Sequence, residues 1–268
     1  MSKIIDCVTF FNENFIFDFR YQVIKDYVDY LVICESKFDH KGKPKKLNFN
    51  INKYSNSKKI KYIIHDTPFP KNNNRWENQA LQREYLLKNL TFAFDNDLIF
   101  FSDSDEVPNP KILSNFKLKK KYGIFLQKFF VYKINIFNEY ETPWQGTRIC
   151  KKKNLKSFTH LRKKIRLENL QKPFWKIQYE KNIDILENGG WHFNNLYSPE
   201  IISMKLKNIQ NVDKKLIKAH TSIEIIKQKI LKLEDLFDRD HKYKKIDIDS
   251  EYPEYIRNNL HLFNNWII

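Results

Sequence analysis

The sequence predicts an α/β fold, a mostly parallel central sheet flanked by helices in a single domain, on three observations. Short apolar runs of strand length alternate with segments of helical periodicity through the N-terminal part of the chain. The 268 residues are 41% hydrophobic, with 22 Phe and 14 Tyr to fill a sizeable core. Only 5 Gly and 9 Pro are present, and no linker-like stretch or fixed-period repeat divides the chain, so residues 1–268 are read as one domain.

The elements follow in order. Ile4 to Phe10 is an apolar run fit for a buried strand, and Asp18 to Val28 carries Phe19, Val23, Ile24 and Tyr27 at helical spacing. Tyr30 to Cys34 and Lys61 to Ile64 read as two more buried strands, and Glu77 to Leu90 as a polar-rich helix with Leu81, Leu86, Leu87 and Leu90 available to the core. Asp97 to Phe101 is a strand that ends in Ser102-Asp103-Ser104-Asp105-Glu106, after which Pro108 and Pro110 stop it. Gly123 to Tyr132, Thr147 to Cys150 and Ile183 to Leu186 follow as strands. Ser198-Pro199-Glu200 is a helix start with a capping Ser and Pro at the first helical position. Thr221-Ser222 begins another helix and Pro253 to Phe263 forms the last.

The formal charge of +16 would suit a polyanion, an anionic membrane surface or an anionic substrate. Lys outnumbers Arg 40 to 8, and the chain is rich in Asn and Ile, a bias that reads as AT-rich coding as much as a binding face. Runs such as Lys117 to Lys121 and Lys151 to Lys153 read as solvated surface. Three scattered cysteines, Cys7, Cys34 and Cys150, suggest neither a disulfide framework nor a zinc site. Strand-like sequence begins by Ile4, which leaves no room for a signal peptide, and no window approaches the roughly 20 apolar residues of a membrane span. The expectation is a soluble cytoplasmic protein, with peripheral association to an anionic membrane left open.

Three segments carry chemistry. Asp103 and Asp105 stand one residue apart at a strand end, where α/β sheets bind ligands, and can turn into one crevice if the chain leaves extended geometry there. Hard oxygen ligands of that kind suit Mg²⁺ or Mn²⁺ shared with substrate phosphates. The segment from Arg75 to Glu84 sets Arg75, Asn78, Gln82 and Gln79 on neighbouring turns at a helix start, where phosphate or a nucleobase carbonyl can be met. An ordinary solvated first turn is the competing reading. Asn188-Gly189-Gly190-Trp191-His192-Phe193 holds the chain's Gly-Gly pair, so its backbone should adopt angles, or allow an approach, that a Cβ would block. His192 is then either a metal or phosphate ligand or a core residue, and Trp191 either stacks on a sugar or fills the core.

In this order the pieces resemble glycosyltransferase family 17, the group of the β-1,4-mannosyl-glycoprotein 4-β-N-acetylglucosaminyltransferase. The similar segments are Ile5 to Glu13, Val28 to Ser36, Arg75 to Asn78 with Gln82 to Glu84, Ser102 to Pro108, Gly190 to Phe193 with Lys205, and Tyr255 to Trp266. The resemblance implies a GT-A-like fold, a UDP-GlcNAc donor, Mn²⁺ or Mg²⁺, and inversion at the anomeric carbon. It divides the chain into a nucleotide-sugar half (1–110), an acceptor half (111–197) and a C-terminal helical extension (198–268). Thr9, Phe10, Asn12, Glu13 and Glu35 would bound the nucleoside pocket. Arg75, Asn78, Gln82, Arg83 and Ser104 would face the nucleotide sugar, and Asp103 and Asp105 would hold the metal. Residues 133 to 187 match least well, and animal members carry an N-terminal membrane anchor that has no counterpart here.

The reaction expected is one displacement, in which an acceptor hydroxyl attacks the anomeric carbon while a carboxylate takes its proton and the metal neutralises the departing UDP. Glu187 is the first candidate base, with Asp184 near it; Glu106 would support the metal motif from behind. His192 and His220 are candidates to complete the metal or diphosphate site. Two other readings compete: a basic single-stranded nucleic-acid-binding module, from the charge and the aromatics among Phe125 to Tyr132, and a sugar nucleotidyltransferase, which lacks the expected Gly-rich phosphate loop.

Overall fold

The first strand, β1 (Ile4–Phe10), is buried along nearly its whole length and lies between two parallel neighbours, β2 (Tyr30–Ser36) and β4 (Leu98–Ser102). On the far side of β2 runs β3 (Ile60–His65), also parallel. This is a computed structural model that describes residues 2–114, 116–173, 175, 180–207 and 221–268. His220 lies outside the described residues.

By internal contacts the chain forms two compact units. One comprises Met1–Leu126 with Gln145–Gly190, the other Gln127–Trp144 with Trp191–Ile268. The first unit takes the start of β6 (Tyr122–Val131), nearly all of β8 (Trp144–Lys151) and β9 (Ile183–Asn194) as far as Gly190; its strand order is β6, β8, β4, β1, β2, β3, while β5 (Glu106–Pro108) pairs with β9. Helix α1 (Asn14–Ile24) joins β1 to β2, and α2 (Arg75–Lys88) joins β3 to β4. α1 starts four residues before the position that apolar spacing indicates, because Ile16 and Phe17 are already buried. α2 starts on a capping box: Asn74 Oδ1 accepts from the Trp76 and Glu77 amides, and Glu77 Oε2 accepts the Asn74 amide at 2.7 Å.

The mixed α/β class with a central sheet flanked by helices agrees with the sequence; the parallel character is confined to β3-β2-β1-β4. β8 runs antiparallel to β4. Parallel neighbours need a crossover of a dozen or more residues, usually a helix. Among the described residues of the first unit, the α-helices beyond β4 are the four-residue α3 (Pro110–Leu113) and α4 (Phe158–Leu161). Its core gathers Ile5, Cys7, Val32, Cys34, Ile99, Phe101 and Cys150 from the strands against Leu86 and Leu90 of the α2 side. All three cysteines are buried, and burial pushes the Cys34 thiol up to about 12.

In the second unit β7 (Ile136–Phe137) pairs antiparallel with the end of β6, and β10 (Lys244–Lys245) with β7. α5 (Pro199–Lys207) and α6 (Ile223–Leu231) pack Ile202, Leu206, Ile226 and Ile230 with Phe129, Val131 and Tyr243. α7 (Glu254–Asn258) and a 3-10 helix (Leu260–Trp266) end the chain. Among the described residues no helix is long and apolar enough to cross a membrane.

Candidate active site

The side chains of interest gather where β1, β2 and β4 end. Glu13, after β1, folds its carboxylate back so that Oε2 accepts the Phe11 and Asn12 amides at 2.7 and 2.9 Å. Thr9 is half-buried, Phe10 is buried edge-on against Phe17 and Phe49, and Asn12 is exposed. Glu35, after β2, is fully buried. It accepts from Lys45 Nζ (2.5 Å), the Asn48 and Phe49 amides (2.7 and 3.0 Å) and Tyr62 Oη (2.7 Å), so it anchors the 45–49 loop beside this edge.

Helix α2 presents its first turns to the same edge. Gln82 is buried, and its Nε2 donates to the carbonyls of Cys34 (2.8 Å) and Phe10 (3.4 Å), tying together the ends of β2 and β1. Its Oε1 meets His40 Nε2 at 3.0 Å, and Asn78, one turn earlier, donates Nδ2 to the His40 carbonyl. Burial, with Arg75 and Arg83 adding to it, holds the His40 pKa below the usual histidine value against the Gln82 hydrogen bond. Asn78 is 2% exposed and its Oδ1 has no hydrogen-bond partner among the described residues. Arg75 is the half-buried first residue of α2.

The acidic segment leaves extended geometry, the condition for Asp103 and Asp105 to share a crevice. The Glu106 amide donates to the Asp103 carbonyl at 3.1 Å, closing a turn, and Glu106 Oε2 accepts the Asp103 amide at 3.1 Å. Ser104 is buried and Asp105 half-buried. Asp103 accepts from Arg83 Nη2 at 3.1 Å and Arg162 Nη2 at 2.7 Å. Arg162 also grips the buried Glu106 with both nitrogens, at 2.8 and 2.9 Å. Burial works against its charge, but Asp103 and Glu106 outweigh burial and hold the Arg162 pKa above the ordinary arginine value.

Beneath the turn lies a second fork. Arg20 of α1 donates Nε to Asp6 at 3.1 Å and Nη2 to Asp6 at 2.5 Å and to Ser102 Oγ at 3.0 Å; Ser102 in turn meets Thr147 Oγ1 at 2.8 Å. Arg148 stands opposite Phe101 in the sheet, and burial together with Arg162 lowers its pKa to about 9 against Glu106 and Asp103.

Sequence reasoning missed Arg20, Arg148 and Arg162. A signal was present: in a chain with 40 Lys and only 8 Arg, an arginine marks a position where a compact ammonium will not do, because it must fork or remain paired in the interior. Four of the eight, Arg20, Arg83, Arg148 and Arg162, stand in or under this turn.

The Gly-Gly segment does not bend the chain away, since β9 runs through it to Asn194. Its backbone is special as expected. Gly190 has φ +127°, and a Cβ there would lie 2.1 Å from the Val107 carbonyl oxygen; one on Gly189 would lie 2.7 Å from the Leu126 amide nitrogen. Glu187 is exposed on β9. Asp184 is occupied, its Oδ2 accepting the Lys119 and Lys120 amides at 2.7 and 2.9 Å. Trp191 and His192 belong to the second unit and are buried there, with the His192 ring against Phe129 (4.5 Å) and Trp144 (4.8 Å).

The parallel strands open at their carboxyl edge onto the paired-carboxylate turn, which is the edge where α/β sheets bind ligands. Residues 1–247 match the model of glycosyltransferase family 17; the chain belongs to that family, and is a glycosyltransferase. A search of curated proteins finds no match. Among solved structures the chain is similar to Mycobacterium tuberculosis glucosyl-3-phosphoglycerate synthase, at 12% identity over 84% of this chain and 78% of that one (TM-score 0.38). The same enzyme in complex with Mg²⁺ and UDP is 12% identical over 80% of this chain and 81% of that one (TM-score 0.35). The inositol-1-phosphate CTP transferase of T. maritima is 11% identical over 85% and 97% (TM-score 0.34).

Proposed function

We propose that the chain transfers a sugar, GlcNAc from UDP-GlcNAc, to a hydroxyl of a glycan acceptor with inversion, assisted by a divalent cation. The observation that carries this reading is the turn after β4, where Asp103 pairs with Arg83 and Arg162, Arg162 also holds the buried Glu106, and Asp105 follows two residues after Asp103.

Hard carboxylate oxygens suit Mg²⁺ or Mn²⁺; both oxygens of Asp103 also accept from Arg83 and Arg162, so a cation there would share that carboxylate with them. Among the described residues no group of three or more His, Cys, Asp or Glu could cage an ion. Two carboxylates leave most of an octahedral shell to water and phosphate oxygens, which is how these ions are commonly held with nucleotides. Bound there, the cation supplies positive charge to the leaving diphosphate.

This chain's own residues do the rest. Arg83 and Arg162 add fixed guanidinium charge at the same turn, in a site where preorganised donors are worth more than in water. Glu106 has both oxygens committed to Arg162, so it positions that arginine and keeps Asp103 in place through its amide. Gln82 and His40 set the nucleoside side by holding the ends of β1 and β2 together. Glu187, exposed on β9 just before Gly189, is the carboxylate we assign to take the acceptor proton.

A donor panel tests the reading: UDP release from UDP-GlcNAc, UDP-Glc and UDP-Gal, and GDP release from GDP-Man, with and without Mn²⁺. Metal-dependent turnover fastest with UDP-GlcNAc is expected, and absence of metal-dependent turnover or binding with all four overturns it.

A further inference from the structure

The second unit contains a cavity of about 330 Å³, within the usual range of small-molecule sites of roughly 300–1,000 Å³. One wall is the ring of Trp144, half-buried and braced edge-on by Phe129 with ring centroids 5.4 Å apart. The opposite character comes from Arg239, whose guanidinium is locked onto the buried Asp235: Nε to Oδ2 at 3.0 Å and Nη2 to Oδ1 at 2.7 Å. Tyr243 Oη donates to the same carboxylate at 2.7 Å. Arg239 itself remains half exposed, with donors left over for a ligand.

Two further features single this cavity out. Tyr132 and Asn195, both on its lining, hold φ of 61° and 53°, a region that non-glycine residues seldom occupy and that persists where surroundings impose it. Among the described residues the lining carries two carboxylates, Glu141 and Asp235, against one guanidinium, Arg239. In a chain of net charge +16 that balance disfavours phosphate, nucleic acid or an acidic sugar. An aromatic ring, fixed donors and a carboxylate acceptor on one lining suit a ring with one apolar face and a rim of hydroxyls.

We propose that this cavity binds an uncharged pyranoside unit of the acceptor glycan, with Trp144 under the sugar's apolar face and Arg239 and Glu141 on its hydroxyls. The inference rests on the glycosyl-transfer reading for the word acceptor, and on the cavity alone for the ligand chemistry. Trp191, for which the sequence left sugar stacking and core packing both open, is 4% exposed and packed away, whereas Trp144 lines the cavity.

Saturation-transfer NMR on the full chain with methyl β-glycosides of glucose, galactose, mannose and N-acetylglucosamine, and with methyl β-glucuronide, tests it. At least one neutral glycoside should bind in preference to the glucuronide, and Trp144→Ala and Glu141→Ala should each weaken that binding about tenfold or more. Should Trp144→Ala fail to fold by circular dichroism, Trp144→Phe and Glu141→Ala carry the test. No neutral binding, preference for the glucuronide, or unchanged binding in the folded variants overturns the proposal. UDP binding on the same samples separates the two readings. A chain that binds UDP and no neutral glycoside defeats this inference alone, while one that binds a glycoside through Trp144 but no UDP or UDP-sugar upholds the cavity and defeats the donor reading.

Discussion

Arg162 holds Glu106 through two parallel hydrogen bonds, Nη1 to Oε2 at 2.8 Å and Nη2 to Oε1 at 2.9 Å, with the carboxylate wholly out of solvent. Removing one member of such a pair leaves a buried charge unmatched. Arg162→Met should therefore cost about 3–5 kcal/mol in urea unfolding. Adding Glu106→Gln to that variant should recover part of the loss, because the stranded charge is gone. Equal stability of the single and double variants would show that the pair does not act as a unit.

The division of labour proposed for Asp105 and Glu187 is separable by kinetics. Asp105→Asn should abolish metal-dependent UDP release. Glu187→Gln should leave UDP binding intact and lower kcat for transfer about 10²- to 10⁴-fold, the range for loss of a general base. Near-normal transfer by Glu187→Gln would move the base elsewhere and leave the metal assignment standing.

Two glycines with positive φ should differ sharply on substitution. Gly190→Ala would drive a Cβ to 2.1 Å from the Val107 carbonyl oxygen, and should cost more than about 3 kcal/mol or prevent folding. Gly42, at φ +80° with nothing within 4 Å of the added atom, should accept Ala for about 1 kcal/mol. Thermal unfolding of the two variants measures the contrast, and similar costs would contradict it.

His40 gives a pH dependence with a definite sign. Its folded pKa lies below the ordinary histidine value, chiefly through burial, so the unfolded chain takes up the proton first as pH falls. The stability held by the neutral ring is complete above about pH 6.5 and is lost as pH drops below that toward the folded pKa. His40→Gln should flatten this part of the stability profile. An unaltered profile in the variant would remove His40 from the account.

Much of the fold was legible because strand and helix signals are local. β1 and the start of β2 were marked by apolar runs, and the acidic turn was marked by its place after one. The continuation of β9 through Gly189 and Gly190 was not, since two glycines in sequence read equally as a bend; the pairing partner β5, far away in the chain, decides that they remain in a strand.

The sequence by itself determined the family and many of the elements and marked the candidate carboxylates, because periodicity, caps and strand-end position act over a few residues. Only the tertiary structure decided which cation meets which acid. Asp103 is met by Arg162 from 59 positions further along, and Ser102 by Arg20 from 82 positions before it. Buried charge must find a partner wherever the packing brings one, and no local pattern encodes that meeting. The scarcity of arginine came nearest to doing so, since it told which residues would be needed at such places without telling where they would converge.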